Sequence, residues 1–281
     1  MRDVAVTTYI DDNQNLINEF RWLYNSWKCS GSHLTSDLIV FYNPTIEHNK
    51  LPDDPDITYI PSEPLTKRNN KWAGYPFINS TYFLTTPEAA ELSKYKYLLY
   101  TDNDCFLTPN FPSLRPRLAT FGIGLYAQVP EVVIRLAQIA EKWGIMPQFN
   151  NIGATFMACG SLAVEYKKLH MEYCEKMLRD EFPHGVGQWP GWYQGVLTMY
   201  AGNLAANAFF GTGLVMGGLD CHCMAQALMC PTDYHIHAWH TYDFFSKFDW
   251  RAGKYKDVDM TKLDPNIISH YCLLMAGSSP Q

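Results

Sequence analysis

Asp102-Asn103-Asp104 sets two carboxylates one residue apart. They follow Tyr97-Leu98-Leu99-Tyr100-Thr101, a run that is apolar without alternation and reads as a buried strand. In an open α/β sheet, ligands collect outside the carboxyl ends of the strands. Two carboxylates at that place can approach one hard cation. Mg²⁺ or Mn²⁺ prefers such oxygen ligands and keeps positions open for phosphate oxygens. The cation then offsets charge on a diphosphate leaving group. Asp-x-Asp is also an ordinary turn. The apolar strand before it and Phe106-Leu107-Thr108-Pro109 after it favour the metal reading.

A second ligand-bearing run lies late in the chain, at His235-Ile236-His237-Ala238-Trp239-His240. In a strand, His235 and His237 share one face. An imidazole beside the carboxylate pair completes a Mn²⁺ site. His237 is the expected ligand, with His235 and His240 as alternatives, and all three can equally be hydrogen-bonded structural histidines. The run also resembles the H-x-H-x-D-H motif of metallo-β-lactamase-type hydrolases, but Trp239 stands where that motif needs Asp. Ser246 and Lys247 follow closely enough to reach a diphosphate.

These residues need a scaffold. Asp3 to Ile10, Asp37 to Tyr42, Ile57 to Ile60 and Tyr97 to Thr101 read as strands. Between them, Asn13 to Lys28 has helical spacing of Leu16, Ile17, Phe20, Leu23, Tyr24 and Trp27. Phe77 to Leu84 and Pro87 to Lys94 also read as helix. Strands alternating with helices imply a mostly parallel central sheet flanked by helices. The second half is less regular. Helices are expected over Pro130 to Trp143, Ser161 to Arg179 and Gly191 to Asn207, and strands over Ala154 to Cys159 and Tyr234 to Trp239. No repeat or linker interrupts the chain, which reads as one domain over residues 1–281.

Composition bounds the function. The 281 residues are 47% hydrophobic and 18% charged, a globular balance. Lys plus Arg number 22 and Asp plus Glu 28, giving a net charge of −6, without the basic footprint of a nucleic-acid binder. No run reaches the roughly 18–20 apolar residues that span a bilayer. The eight cysteines form no CxxC pair, and reduced thiols in a cytoplasmic compartment are expected.

Tyr97 to Leu107 resembles the DxD region of GT-A-fold, nucleotide-sugar-dependent glycosyltransferases, including glycogenin-like ones. Other segments fall in family order. Val4 to Tyr9 resembles the first strand, and Phe149-Asn150-Asn151-Ile152-Gly153 resembles the F-N-x-G segment that touches the donor sugar. Trp192 to Leu197 lies where those enzymes carry D-Q-x-x-L, with Tyr193 in place of Asp. The histidine strand, Lys247 and Trp250 resemble their H…K-P-W ending, without the Pro. The overall look is similar to small chlorovirus glycosyltransferases that build capsid glycans, the xylosyltransferase among them.

The resemblance implies a Rossmann-like GT-A domain with a nucleotide-binding half (1–108) and an acceptor half (109–281). It implies transfer of xylose or glucose from a UDP-sugar to a glycan hydroxyl in the host cytoplasm. Asp102, Asp104 and His237 would hold Mn²⁺ or Mg²⁺. Thr8, Tyr9, Ile10, Arg68, Lys71, Asn79, Asn103, Asn151 and Lys247 would line the donor site. Asp11 or Asp12 would bond base or ribose, or cap the following helix. The aromatic loop Gln188 to Tyr193 would face the acceptor. An inverting enzyme needs a carboxylate base, for which Asp220 is the candidate ahead of Asp180 and Glu181; a retaining one would turn Gln194 toward the reactive face. Two other classes use the same residues differently. One is a metal-dependent phosphoesterase or nucleotide-sugar hydrolase. The other is a non-catalytic glycan-binding module, consistent with 15% aromatic content.

Overall fold

A computed structural model describes residues 2–183, 186–222, 227–239 and 244–278. The chain begins with β1 (Val4–Ile10), α1 (Gln14–Cys29), β2 (Ser36–Tyr42) and β3 (Ile57–Pro61). Two one-turn helices, α2 (Leu65–Arg68) and α3 (Asn79–Tyr82), precede β4 (Tyr97–Tyr100), β5 (Cys105–Leu107) and β6 (Thr120–Ile123). Then come α4 (Pro130–Lys142), β7 (Ile152–Ala158), α5 (Gly160–Glu181), α6 (Leu197–Phe210) and β8 (Leu214–Val215). The last elements are β9 (Cys221–His222), β10 (His235–His237), α7 (Lys247–Arg251) and α8 (Ile268–Gly277). The chain divides into two compact units, each assembled from separate stretches.

The first unit takes the residues up to Pro61, Thr101–Arg115 and the stretch from Gly217 onward. All seven residues of β1 are buried. β1 pairs in parallel with β2, Val4 opposite Ser36 and Ile10 opposite Tyr42, and β2 in parallel with β3. β1 is buried on both faces, as strands of a parallel sheet usually are. The helix α1 is capped by Asn13, whose side chain accepts from the amide of Asn15 at 2.9 Å. Neither Asp11 nor Asp12 is that cap. Asp11 accepts from the Asn43 amide at 2.8 Å and Asp12 from the Thr45 hydroxyl at 2.6 Å. A second small sheet places β10 antiparallel to β5 and parallel to β9. Trp22, Phe106, Ile236 and Phe245 form its core, with the Trp22 and Phe106 rings stacked at 5.7 Å.

The second unit comprises Ser62–Tyr100 and Pro116–Met216. Here β7 runs antiparallel to both β4 and β6, and β8 runs parallel to β6. Its core contains Trp72, Leu136, Leu197 and Tyr200. The expected helices over 77–84 and 87–94 are helical, but mostly 3₁₀: turns at Pro76–Ile78 and Phe83–Thr85 flank α3, and Pro87–Lys94 is one eight-residue 3₁₀ helix. Hydroxyls compete for the backbone there. Ser80, Thr85 and Thr86 each donate to the carbonyl three residues back. The helix expected from Gly191 begins only at Leu197, after a 3₁₀ turn at Gln194–Val196. Among the described residues, no helix is long and apolar enough to cross a membrane.

Candidate metal and diphosphate site

Pairing of β10 with β5 sets His237 opposite Cys105, next to the carboxylate pair. The register is locked where the Ala238 amide donates to the Asp104 carbonyl at 2.8 Å. As a result, His237 Nε2 lies 3.3 Å from Asp104 Oδ1 and 4.0 Å from Asp102 Oδ2. The other ring nitrogen, Nδ1, lies 3.0 Å from Asp220 Oδ1. Lys247, the first residue of α7, sets its ammonium 2.5 Å from Asp104 Oδ2. The six residues Asp102, Asn103, Asp104, Asp220, His237 and Lys247 therefore gather at one end of the first unit.

Asn103 fixes the loop between the carboxylates. Its amide donates to the Tyr9 carbonyl at 2.8 Å, and its oxygen accepts from the Thr8 hydroxyl at 2.8 Å. The DxD turn is thus tied to the end of β1 by two buried hydrogen bonds. Thr8, Tyr9 and Ile10 are themselves buried at the end of β1.

The charges are strongly coupled. Burial alone would raise the Asp104 carboxyl, but Lys247 and His237 outweigh it and hold it well below the usual carboxylate range. Burial would lower His237, yet Asp104 and Asp220 push it up to about 10. His235 behaves oppositely. Burial pushes it down to about 4, and its Nε2 is hydrogen-bonded to the Thr101 hydroxyl at 2.7 Å. Of the two histidines on the shared face, His237 is the one beside the carboxylates. His240 lies outside the described residues.

Ligand atoms of Asp104, Cys105 and His237 come within 4.8 Å of one another and can hold a metal ion. Burial pushes the Cys105 thiol well above its ordinary value, so it stays protonated at neutral pH and is a poor ligand for a hard cation. Asp102, partly exposed and also near His237 Nε2, is the better third donor. Two carboxylates and one imidazole suit Mn²⁺, with Mg²⁺ the more oxygen-demanding alternative. The orientation of His237 by the Asp220 carboxylate is the arrangement metal-binding histidines ordinarily have.

The remaining residues expected at the site belong to the second unit. Arg68 pairs with Glu63 at 3.1 Å, and Lys71 with Glu175 at 2.8 Å. Asn79 is buried and meets Thr66 through both ends of its amide at 3.3 Å. Asn151 has φ 54°, a left-handed conformation that Asn tolerates, and its side chain accepts from the Ala127 amide at 3.1 Å. The Gln194 amide nitrogen of the backbone donates to the Val186 carbonyl at 2.7 Å. In the aromatic loop, Trp192 is core. Its ring stacks on Tyr200 at 4.3 Å and on Phe182 at 5.4 Å. Trp189 of the same loop is exposed.

Sequence reasoning did not single out Glu19 or Arg251. Glu19 lies on α1 and is buried, and its carboxylate accepts from Arg251 Nε at 3.1 Å and from Arg251 Nη2. A charged residue at a helix position between apolar Ile17, Phe20 and Trp22 was the available signal.

Two solved structures share this architecture. The galactosyltransferase LgtC, in complex with donor and acceptor sugar analogs, matches with a TM-score of 0.53 and 13% identity. The match covers 90% of this chain and 94% of that one. An active-site mutant of LgtC matches with a TM-score of 0.53 and 15% identity over the same shares. The chain thus has the expected α/β fold of the GT-A type. None of the curated proteins matches it. The family described as a domain of unknown function, DUF7164, matches residues 1–278, and the chain belongs to that family.

Proposed function

We propose that the protein is a metal-dependent glycosyltransferase that moves a sugar from a UDP-sugar to a glycan hydroxyl. The observation that carries this reading is the convergence of Asp102, Asp104 and His237 within 3.3 to 4.0 Å of His237 Nε2, on a fold shared with a galactosyltransferase. Asp102, Asp104 and His237 would hold Mn²⁺ or Mg²⁺, which would supply positive charge to offset that on the diphosphate leaving group. Lys247 adds a second positive charge on the same side, at a preorganised position. The acceptor oxygen would bond to the anomeric carbon as the carbon–oxygen bond to the diphosphate breaks, UDP would depart, and the hydroxyl proton would pass to the departing diphosphate or to water.

Asp220 works on His237 rather than on the acceptor. Its carboxylate is buried and faces Nδ1, which fixes Nε2 as the ligand nitrogen. Thr8 and Asn103 hold the end of β1, where backbone groups of Tyr9 and Ile10 meet the base. Arg68, Lys71, Asn79, Asn151 and Gln194 are assigned to donor and acceptor contacts by the sequence resemblance, as is the division into a nucleotide-binding half and an acceptor half. Xylose or glucose as the sugar, and a viral capsid glycan as the product, rest on the same support.

The test is a panel of UDP-sugars incubated with metal-stripped protein, with and without Mn²⁺, while released UDP and glycosylated product are both followed. Metal-dependent transfer to a glycan acceptor supports the reading. UDP release that ignores every acceptor moves the protein to the hydrolases.

A further inference from the structure

The site has two partly buried ion pairs on one short helix. α7 is five residues long, and Lys247 and Arg251 lie four residues apart on it, so they share a face. Lys247 reaches Asp104, and Arg251 reaches Glu19. The first pair joins α7 to the DxD turn, and the second joins it to α1. Glu19 lies among the groups that bias Lys247 toward its charged form. Ser246 caps α7 by accepting from the Asp249 amide, and its own amide donates to the Tyr255 hydroxyl at 2.7 Å.

A lysine that serves a diphosphate has to release Asp104 when the ligand arrives. If that were the sole ionic tether of α7, release would loosen the helix that carries the lysine. Glu19 removes this conflict, because its partner Arg251 lies at the other end of the same helix. We propose that Glu19 is a positioning residue, whose pair with Arg251 keeps α7 seated while Lys247 exchanges Asp104 for a ligand phosphate. The exchange rests on the glycosyltransferase reading. The tether itself does not.

Hydrogen exchange on the full chain separates the two. The amides to follow are Trp250, which donates to the Ser246 carbonyl, and Ala252, which donates to the Phe248 carbonyl, both at 2.9 Å. Lys247→Met imitates release. It is expected to leave their protection within about twofold of wild type, because Glu19 still holds Arg251. Adding Glu19→Gln, or Arg251→Met as an independent route, is expected to speed exchange by more than about tenfold. Free exchange in Lys247→Met alone, or full protection in the double variants, overturns the tether.

Calorimetry with UDP and Mn²⁺ as probes reads the exchange. Glu19→Gln should weaken UDP about tenfold, leave Mn²⁺ affinity unchanged, and add little to the loss caused by Lys247→Met. Additive losses, or equal losses of UDP and Mn²⁺ affinity, contradict the positioning role. Absence of UDP binding in the wild type refutes the glycosyltransferase reading and the exchange with it, while the exchange-protection result still decides the tether.

Discussion

His237 is held between two carboxylates, with Nδ1 3.0 Å from Asp220 Oδ1 and Nε2 3.3 Å from Asp104 Oδ1. One carboxylate orients the ring and the other shares its metal-facing side. Asp220→Asn keeps the size of the side chain but removes the charge behind the ring. Mn²⁺ affinity should fall by about 10- to 100-fold, and the metal-free protein should lose stability at neutral pH because a buried charged pair is broken. Competition against a metallochromic dye measures the affinity, and an unchanged affinity would separate Asp220 from the metal site.

Protons and metal compete for the same nitrogen. In the metal-free protein, Asp104 and Asp220 overcome burial and push His237 up to about 10, so at neutral pH the ring is charged. A ligand histidine must be neutral, so metal binding expels a proton. Apparent Mn²⁺ affinity should therefore rise by about one log unit per pH unit from neutrality upward, flattening near the raised value. Calorimetry in buffers of different ionisation enthalpy should count about one proton released. The folding linkage of the metal-free protein has the opposite sign. The charged ring contributes stability that is fully present below the ordinary histidine value of 6.5 and is lost as pH rises through about 10. In His237→Gln that pH dependence should disappear from denaturant titrations.

Asn103 is the hinge pin of the DxD turn. Asn103→Ala leaves the Thr8 hydroxyl and the Tyr9 carbonyl without this partner in a buried place. A loss of about 2–3 kcal/mol is expected in urea unfolding. Thr8→Val, which removes one bond only, should cost about 1 kcal/mol. Equal small effects from both would mean that the turn is held by something else.

Two tryptophans of one loop should part company. Trp192, stacked between Tyr200 and Phe182, is core, and Trp192→Ala should cost about 3–5 kcal/mol. Trp189 is exposed, and Trp189→Ala should change stability by less than about 0.5 kcal/mol. Any loss of glycan affinity at unchanged stability therefore belongs to Trp189.

Local sequence signals located the strands of the first unit because their β-rich runs are short and bounded by turn residues, and β1 is buried throughout. They also singled out the carboxylates and the histidine strand; alternation puts His235 and His237 on one face, and only tertiary contacts tell them apart. Asp220 was visible as a lone carboxylate after glycines, but its partner is set by the pairing of β9 with β10, a contact no local pattern encodes. Glu19 and Arg251 stand 232 positions apart and were illegible for the same reason. The stretches 77–84 and 87–94 were legible as helical but not as largely 3₁₀, because apolar spacing does not register hydroxyls that bond back to the chain. In the aromatic loop, ring content alone does not separate the buried Trp192 from the exposed Trp189.

Titration of UDP into metal-stripped protein, with and without Mn²⁺, tests the metal–diphosphate site most directly. Binding should require Mn²⁺ and should vanish in Asp104→Ala, while the variant stays folded by circular dichroism. UDP binding of equal strength without metal, or undiminished in Asp104→Ala, would contradict a cation held by Asp102, Asp104 and His237.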